Sequence, residues 1–310
     1  MATWAYPPLS AEKLKEEEEN SLSRELEWLL ASFQELLVSL REGLEECAEL
    51  LAPKEPGSTL VLSSVRSESV KGFVTRVGAR IVKGDIQLRL SSLPPPRGAN
   101  ATRLTFSSIP GAPELVLDQL ADVRNLVNQS LDVVDVSTWT GNPLNSSFIS
   151  GQLRLLHEHI SEARSFLKGT PETLQWWESS ADNDVFDPGL PPYLSFHLAI
   201  AEAALVLHLR TLEPAAPAQT PTAFASDISL TGFSLRDRIF GPKHPTHDES
   251  GEIFRWRGEE VKVKEKIRVE SQDPSLIAVM AKLSALEHEV MKCINSLKIV
   301  MNEDDAESDA

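Results

Sequence analysis

The hydrophobic positions early in the chain repeat with the spacing of a heptad helix. Between residues 26 and 51, apolar side chains recur in alternating steps of four and three residues. They are Leu26, Leu30, Phe33, Leu37, Leu40, Leu44, Cys47 and Leu51. This spacing predicts a helix with one buried seam. Three further leucines widen the seam, which favours packing against more than one neighbouring helix. They are Leu29, Leu36 and Leu50. We expect the helix to end at Pro53.

The hydrophobic period then shortens from about 3.5 residues to 2, which is typical of strands. Four segments have β-branched residues between glycines and prolines: 59–65, 70–77, 80–90 and 101–106. They predict an antiparallel meander with one solvent-exposed face. Gly78 and the pair Gly84-Asp85 predict turns or bulges, and Pro94 to Pro96 begin a loop.

Helical spacing returns at residues 115–136 and again at 149–167. The break at Gly141-Asn142-Pro143 is short enough for an antiparallel pair. A loop with Trp176 and Trp177 follows. The apolar segment Tyr193 to Leu212 predicts a helix surrounded by other elements.

The last third of the chain contains an insertion, a second β segment and a closing heptad helix. Residues 213–252 are rich in Pro, Ala and Thr; the short amphipathic stretch Phe233 to Phe240 within them either docks on a partner or packs on its own domain. Residues 253–256 and 261–269 alternate like strands. Heptad spacing then runs from Leu276 to Val300.

These patterns predict an α+β protein. It combines an antiparallel bundle of heptad-patterned helices, including both chain termini, with a small antiparallel β-sheet domain formed by two separated segments. We expect the following boundaries: a disordered acidic N-terminus at 1–23; the helical bundle at 24–56, 113–212 and 273–301; the β domain at 57–112 and 253–272; a Pro-rich insertion or linker at 213–252; and a disordered acidic tail at 302–310.

Charge and composition narrow the function classes. The 310 residues are 41% hydrophobic, which is enough for a sizeable core, and carry a net charge of −16. That charge disfavours nucleic acids and anionic lipid surfaces, so we expect proteins as partners. We find neither a secretion signal nor an apolar stretch of about 18 residues. Cys47 and Cys293 fall at apolar helical positions, which predicts reduced core thiols of a cytosolic protein.

Reactive groups do not form a recognisable site, so we predict no catalytic, cofactor-binding or metal-binding residues, no cofactor and no enzyme activity. Neither a nucleophile elbow nor a phosphate-binding glycine loop occurs. His157 and His159 fall on different helix faces, and the imidazoles of His244 and His247 are expected to be solvated. We interpret His197 and His208 as hydrogen-bonded core residues. The acidic turn residues lack the calcium-loop pattern. They are Asp182, Asp184 and Asp187.

Several short sequence segments resemble those of the Rogdi family, whose fungal members belong to the RAVE complex (regulator of the ATPase of vacuoles and endosomes). The resemblance covers residues 24–301. It is carried by Glu25 to Leu30, by Val70 to Thr75 followed by Gly78, by Asp85 to Leu90, by Ile253 to Trp256 with Gly258, and by the alternating Val261 to Val269. The insertion at 213–252 is longer and more Pro-rich than in animal members, which fits a filamentous-fungal member.

The resemblance implies an elongated, non-catalytic scaffold. It would act with a large β-propeller subunit and the adaptor Skp1, and with peripheral-sector subunits of the vacuolar proton-pumping ATPase, to promote reassembly of the peripheral and membrane sectors. Apolar seams wider than the bundle needs would mark the partner face. The protein would be cytoplasmic and recruited peripherally to vacuolar or endosomal membranes, touching the membrane only through the pump.

The alternative is a self-associating coiled-coil scaffold unrelated to the pump, in which the N- and C-terminal seams pair between chains as a homo-oligomer. Such a protein does not need an interposed meander. The predicted strand segments around Gly72 and Trp256 therefore favour the interpretation as a Rogdi family member.

Overall fold

The structure is a computed structural model that describes residues 10–65, 68–107, 109, 111–138, 145–169, 176–215 and 247–301. Its elements in chain order are α1 (Ala11–Leu51), β1 (Ser58–Ser63), β2 (Val70–Val77), β3 (Arg80–Leu88), β4 (Thr102–Thr105), β5 (Leu115–Val116), α2 (Asp118–Ser137), α3 (Ser146–Lys168), α4 (Trp176–Ser179), a 3-10 turn (Asn183–Val185), β6 (Leu194–Ala201), β7 (Ala204–Pro214), β8 (Ile253–Trp256), β9 (Glu259–Gln272) and α5 (Pro274–Met301). The α+β class is thus confirmed.

The chain divides into two compact units, and it passes between them at residues 52–53, 119–120, 167–168 and 274–275. The helical unit contains α1, α3, α5 and nearly all of α2. The sheet unit contains the strands, α4 and the first residues of α2.

The helical unit buries most of the seam positions that the sequence predicts, while Leu26 and Val300 are half-buried. The α1 seam is buried from Leu30 to Leu51, and the α5 seam is buried from Leu276 to Leu297. Polar contacts join the helices at their edges. Arg41 pairs with Asp135 of α2 at 3.2 Å. Glu46 of α1 pairs with Lys282 of α5, and Arg164 of α3 pairs with Glu287 of α5.

Helix α1 starts at Ala11, so the expectation of disorder is wrong for residues 11–23. Ser10 caps the helix, and its side chain accepts a hydrogen bond from the amide of Lys13. The segment consists largely of strong helix formers, and Lys15 and Glu19 form an i,i+4 pair at 3.9 Å. The acidic residues Glu16 to Glu19 are therefore part of a helix of 41 residues.

The first sheet of the sheet unit has the order β1-β2-β3-β4, with β5 paired to the start of β3, and all pairs are antiparallel. Strands β1 to β4 agree with the predicted segments, whereas β5 (Leu115–Val116) falls where the sequence predicted the start of a helix, which begins only at Asp118. Gly78, at φ 60°, forms the β2–β3 turn. Gly84-Asp85 is not a turn, because both residues pair within β3. A side chain at Gly84 would meet the ring of Phe106, so glycine there serves packing. The register shift lies instead at Thr75/Arg76.

The predicted helix from Tyr193 to Leu212 is wrong: the segment is the β6–β7 hairpin. Both faces of the hairpin are covered, so the apolar and polar alternation that identifies a strand is lost. The turn residues Glu202 and Ala203 have φ values of 49° and 56°. That geometry usually calls for glycine or asparagine, so the sequence contains no turn residue at this point.

The second sheet has the order β6-β7-β9-β8. The two β segments of the sequence therefore form two sheets, and the expectation of one sheet built from them is wrong. Residues 194–212 supply two strands of the second sheet, so the expectation that they belong to the helical bundle is wrong as well. The β8–β9 turn is formed by Arg257 and Gly258, both at positive φ.

Some predicted features lie outside the described residues: the break at 141–143, most of the 213–252 insertion with its Phe233 to Phe240 stretch, and the tail at 302–310. Among the helices that are described, none combines the length and apolarity needed to cross a bilayer.

Candidate interaction surfaces

The buried seams of the helical unit are occupied by its own helices. Leu36 of the widened seam lines a small cavity together with Ile149 of α3 and Cys293 of α5. Leu29 is buried as well. Leu36 thus lies beside α3 and α5, and the strongly exposed apolar side chains of α1 lie elsewhere.

The N-terminal part of α1, residues 11–28, is the most exposed helical segment in the described chain, and we refer to it as the α1 extension. Nearly all its residues are solvent-exposed, with Leu22 and Leu26 half-buried. Leu14 is 59% exposed and Trp28 is 69% exposed. Leu14, Ser21 and Trp28 are spaced seven residues apart, which is about two helical turns. They form one line along the helix, which we call the docking face.

Acidic residues flank the docking face. Glu17, Glu18, Glu25 and Glu35 lie beside it at helical spacing and all are exposed. The α1 extension holds seven acidic and three basic residues. Arg24 donates its Nε hydrogen bond to the carbonyl of Asn20 at 3.1 Å, so this cation lies along the helix. The surface combines an exposed tryptophan with a negative rim.

Sequence reasoning did not identify this surface. It assigns residues 1–23 to a disordered acidic N-terminus, and Trp28 appears in it only within the segment Glu25 to Leu30 that resembles the Rogdi family. The spacing of the heptad could have predicted this surface. Trp28 follows the seam residue Leu26 by two positions, which places it on the opposite side of the helix from the buried seam.

The sheet unit contains a second group of functional candidates, an aromatic cluster. Trp176 of α4 packs against Leu212, Trp256, Val261 and Val263, with Trp177 and Phe254 beside it. The indole N–H of Trp256 donates to the hydroxyl of Ser180 at 2.9 Å. The two tryptophans that the sequence places in a loop therefore belong to a core.

An ion-pair network lies next to this cluster. Arg210 of β7 is 3% exposed and binds Glu249 through both Nε and Nη2 at 2.7 Å. Its guanidinium lies 4.8 Å from the centre of the Trp176 ring. Lys266 also contacts Glu249, at 2.8 Å. Burial opposes ionisation of Glu249, but these cationic hydrogen bonds outweigh it and lower its pKa. The network attaches residues 248–249 to the second sheet.

His197 and His208 face each other across the β6–β7 hairpin, with ring centroids 6.0 Å apart. They lie on strands, not on the predicted helix, and both are buried. Burial, reinforced by the charge of Arg210, lowers the pKa of His197 to about 4 and that of His208 to about 3. Both rings are therefore neutral near pH 7. Only part of the predicted hydrogen bonding is present, because Nδ1 of each ring has no partner among the described contacts.

The nearest approach to a catalytic arrangement is the contact between Ser179 Oγ and His197 Nε2, at 3.1 Å. A serine nucleophile needs a base whose other nitrogen is oriented by a third group. The described contacts give His197 Nδ1 no such partner, and burial lowers its pKa far below 7. This pair therefore lacks the features of an activated nucleophile.

The remaining histidine and aspartate candidates from the sequence do not form a metal-ligand set within the described residues. Nε2 of His157 lies 3.9 Å from a carboxylate oxygen of Glu287. His244 lies outside the described residues, and His247 comes directly before Asp248 and Glu249 in the chain. Asp182 occupies the N-cap position of the 3-10 turn without a capping hydrogen bond from its side chain. The described ranges contain no group of three or more acidic, histidine or cysteine side chains placed to hold a metal ion.

Cys47 and Cys293 are free and buried in the helical unit, as the sequence predicts. Burial raises the pKa of each thiol to about 11. Both are therefore protonated and unreactive near neutral pH.

Comparison with known proteins adds to this geometry. Residues 25–298 match the family described as Rogdi leucine zipper containing protein. The chain is 25% identical over 299 residues to Regulator of V-ATPase in vacuolar membrane protein 2 of Schizosaccharomyces pombe, covering 86% of this chain and 90% of that protein. It is 22% identical over 210 residues to Protein rogdi homolog of Danio rerio, covering 64% of this chain and 71% of the relative.

Proposed function

Since the chain belongs to the Rogdi leucine zipper family, we propose that it is a non-catalytic regulator of the vacuolar proton-pumping ATPase. More specifically, it acts as a subunit of the RAVE complex and scaffolds reassembly of the pump from its peripheral and membrane sectors.

One observation carries the proposal: the similarity to the fission-yeast regulator extends over almost the full length of both proteins. A match of 86% of this chain and 90% of the relative spans far more than one isolated module. Such coverage supports a shared architecture and a shared role, although the identity itself is low.

The described surfaces support a binding role better than a chemical one. The most buried charged side chain next to the aromatic cluster, Arg210, is engaged in an ion pair with Glu249 that holds the fold. The α1 extension, by contrast, presents an exposed tryptophan, the residue type most enriched where partners bind tightly. A scaffold needs such surfaces and has no need of an activated nucleophile.

The proposal includes the partners and location of the complex. The heptad-patterned helices form one bundle domain and the two sheets form a β domain, and these domains contact the large β-propeller subunit, the adaptor Skp1 and peripheral-sector subunits of the pump. The protein is cytoplasmic and reaches vacuolar or endosomal membranes through the pump. No cofactor takes part.

Affinity purification tests the proposal. The tagged full-length protein is isolated from its own cells in detergent-free buffer, and co-purifying proteins are identified by mass spectrometry. We expect a giant β-propeller protein and peripheral-sector subunits of the pump. A strain lacking the protein should show fewer peripheral-sector subunits on vacuolar membranes, and the intact gene should restore them.

The outcome that contradicts the proposal is recovery of this chain alone, together with normal sector assembly in the deletion strain. The self-associating scaffold would then be the better explanation, and sedimentation of the purified protein would give a homo-oligomer mass.

A further inference from the structure

The docking face of the α1 extension has the properties of a binding site and is not explained by the packing of the helical unit. The helix is 41 residues long, whereas α2, α3 and α5 have 20, 23 and 28 residues. The described polar contacts of the extension join residues of the same helix, such as Lys15 with Glu19. Leu14 and Trp28 remain exposed on one line.

We propose that the docking face binds an amphipathic helix of a partner protein, whose apolar stripe covers Leu14 and Trp28 and whose flanks carry Lys and Arg. This inference rests on the proposed function and names the chemistry of one partner. The two apolar side chains lie about 21 Å apart along the helix at 1.5 Å per residue. A partner helix of four or five turns can span both of them.

The spacing of the apolar residues favours a helix over other occupants. Leu14, Ser21 and Trp28 follow a seven-residue period, and two helices that cross at a shallow angle meet along such a line. Ala31, one helical turn after Trp28, is small and exposed, so the indole ring is open to a partner on that side. A side chain of that shape fits a hole between partner residues.

Charge selects the partner. The rim of Glu17, Glu18, Glu25 and Glu35 is negative and exposed, and complementary cations would speed association and fix its register. A second copy of this chain would place the same seven acidic and three basic residues opposite each other. Because like charges across an interface are unfavourable, self-pairing through this face is disfavoured.

Photo-crosslinking of the full-length protein in its own cells tests the inference. Ser21 is replaced by p-benzoylphenylalanine (Ser21→p-benzoylphenylalanine), which puts the reactive ketone between Leu14 and Trp28. The matched control carries the same probe at Val38, an exposed residue on another face of α1. The crosslinked peptide is then identified by mass spectrometry.

We expect Ser21, and not Val38, to crosslink to a helical segment rich in Lys and Arg. Adding Trp28→Ala should lower the yield at least tenfold, while Trp28→Phe should retain most of it. Added NaCl should lower the yield progressively because the rim charges are exposed. The melting temperature should stay unchanged in both variants, since the ring lies in solvent.

The remaining outcomes separate the inference from the proposed function. A crosslink to a second copy of this chain, to an acidic segment, or equal yields at Ser21 and Val38 would overturn the docking face; if pump subunits still co-purify, the proposed function stands. A basic helix from a protein outside the pump and its assembly complex would support the docking chemistry; it would contradict the proposed function only if pump subunits also failed to co-purify.

Discussion

Two arginine–carboxylate pairs in the sheet unit differ in their access to water. Arg76 donates to Asp273 at 2.8 Å from Nε, and its Nη1 donates to the carbonyl of Gly78 at 2.6 Å. The Asp273 side chain is 0% exposed. Arg103 and Asp85 form a bidentate pair at 2.8 and 2.6 Å on the solvent-exposed face of the first sheet. Similar bonds thus occur in opposite environments.

We predict that Asp273→Asn destabilises the protein by about 3–5 kcal/mol, because Arg76 would remain buried as an unpaired charge. Asp85→Asn is the matched control and should cost at most about 1 kcal/mol, as expected for an exposed pair. Urea denaturation measures both free energies of unfolding. Equal effects of the two substitutions would contradict the prediction.

The buried histidine pair makes stability depend on pH. The folded pKa values of His197 and His208, about 4 and about 3, lie below the ordinary value of 6.5. Between these values the unfolded chain binds more protons than the folded one, so stability falls as the pH drops from 6.5 towards 4. Each histidine contributes at most about 1.4 kcal/mol per pH unit.

His208→Asn should therefore give a shallower loss of stability across pH 6.5 to 4, measured by denaturant unfolding at each pH. Any loss of stability at pH 7 does not affect this slope. His288, exposed on α5, supplies the control substitution His288→Asn, which should keep the slope of the parent protein. Unchanged slopes in both variants would show that the buried pair is not the source.

At the scale of elements, α5 tests the heptad seam. Leu283 is 0% exposed, so Leu283→Asp would bury an unpaired carboxylate and should cost several kcal/mol or detach the helix. Ile277→Asp, at a half-exposed position of the same helix, should change stability by less than about 1 kcal/mol. Thermal melting and helical circular dichroism measure the difference. An unchanged melting temperature of the Leu283→Asp protein would contradict the burial of the heptad seam in α5.

Two glycines should respond in opposite directions to the same substitution. Gly151 is exposed in α3, with open space where a Cβ atom would lie, so Gly151→Ala should stabilise the protein by about 0.5–1 kcal/mol. Gly84→Ala would press its methyl group against the Phe106 ring, two of whose carbons lie 2.5 Å from the Cβ position. It should destabilise the protein by about 1–3 kcal/mol. Chemical denaturation of both variants, compared in sign, tests this.

Across the whole molecule, secondary structure is predicted best from the sequence where one face of a helix or strand is exposed to solvent. The predicted strand at 70–77 agrees with β2, and the heptad run from Leu276 to Val300 falls inside α5. The β6–β7 hairpin could not be predicted from the sequence. Both its faces are buried, so its residues do not alternate between apolar and polar, and its turn contains no glycine. The second sheet could not be predicted without it.

The docking face shows why surfaces are harder to predict than cores. The identity of Trp28 is visible in the sequence, but its exposure depends on the arrangement of the helices around α1 in three dimensions. Likewise, Arg210 and Glu249 lie 39 residues apart in the chain, and no local pattern links them. Tertiary packing decides both cases.

The two buried thiols offer a built-in measure of motion. Cys47 lies on α1 and Cys293 on α5, so an added disulfide reagent can reach each sulfur only when its helix transiently separates from its neighbours. Labelling rates followed by intact mass, with the labelled peptide identified afterwards, would therefore report how often each helix opens. No engineered label is needed, and the same assay would register any tightening of the helices when a partner binds.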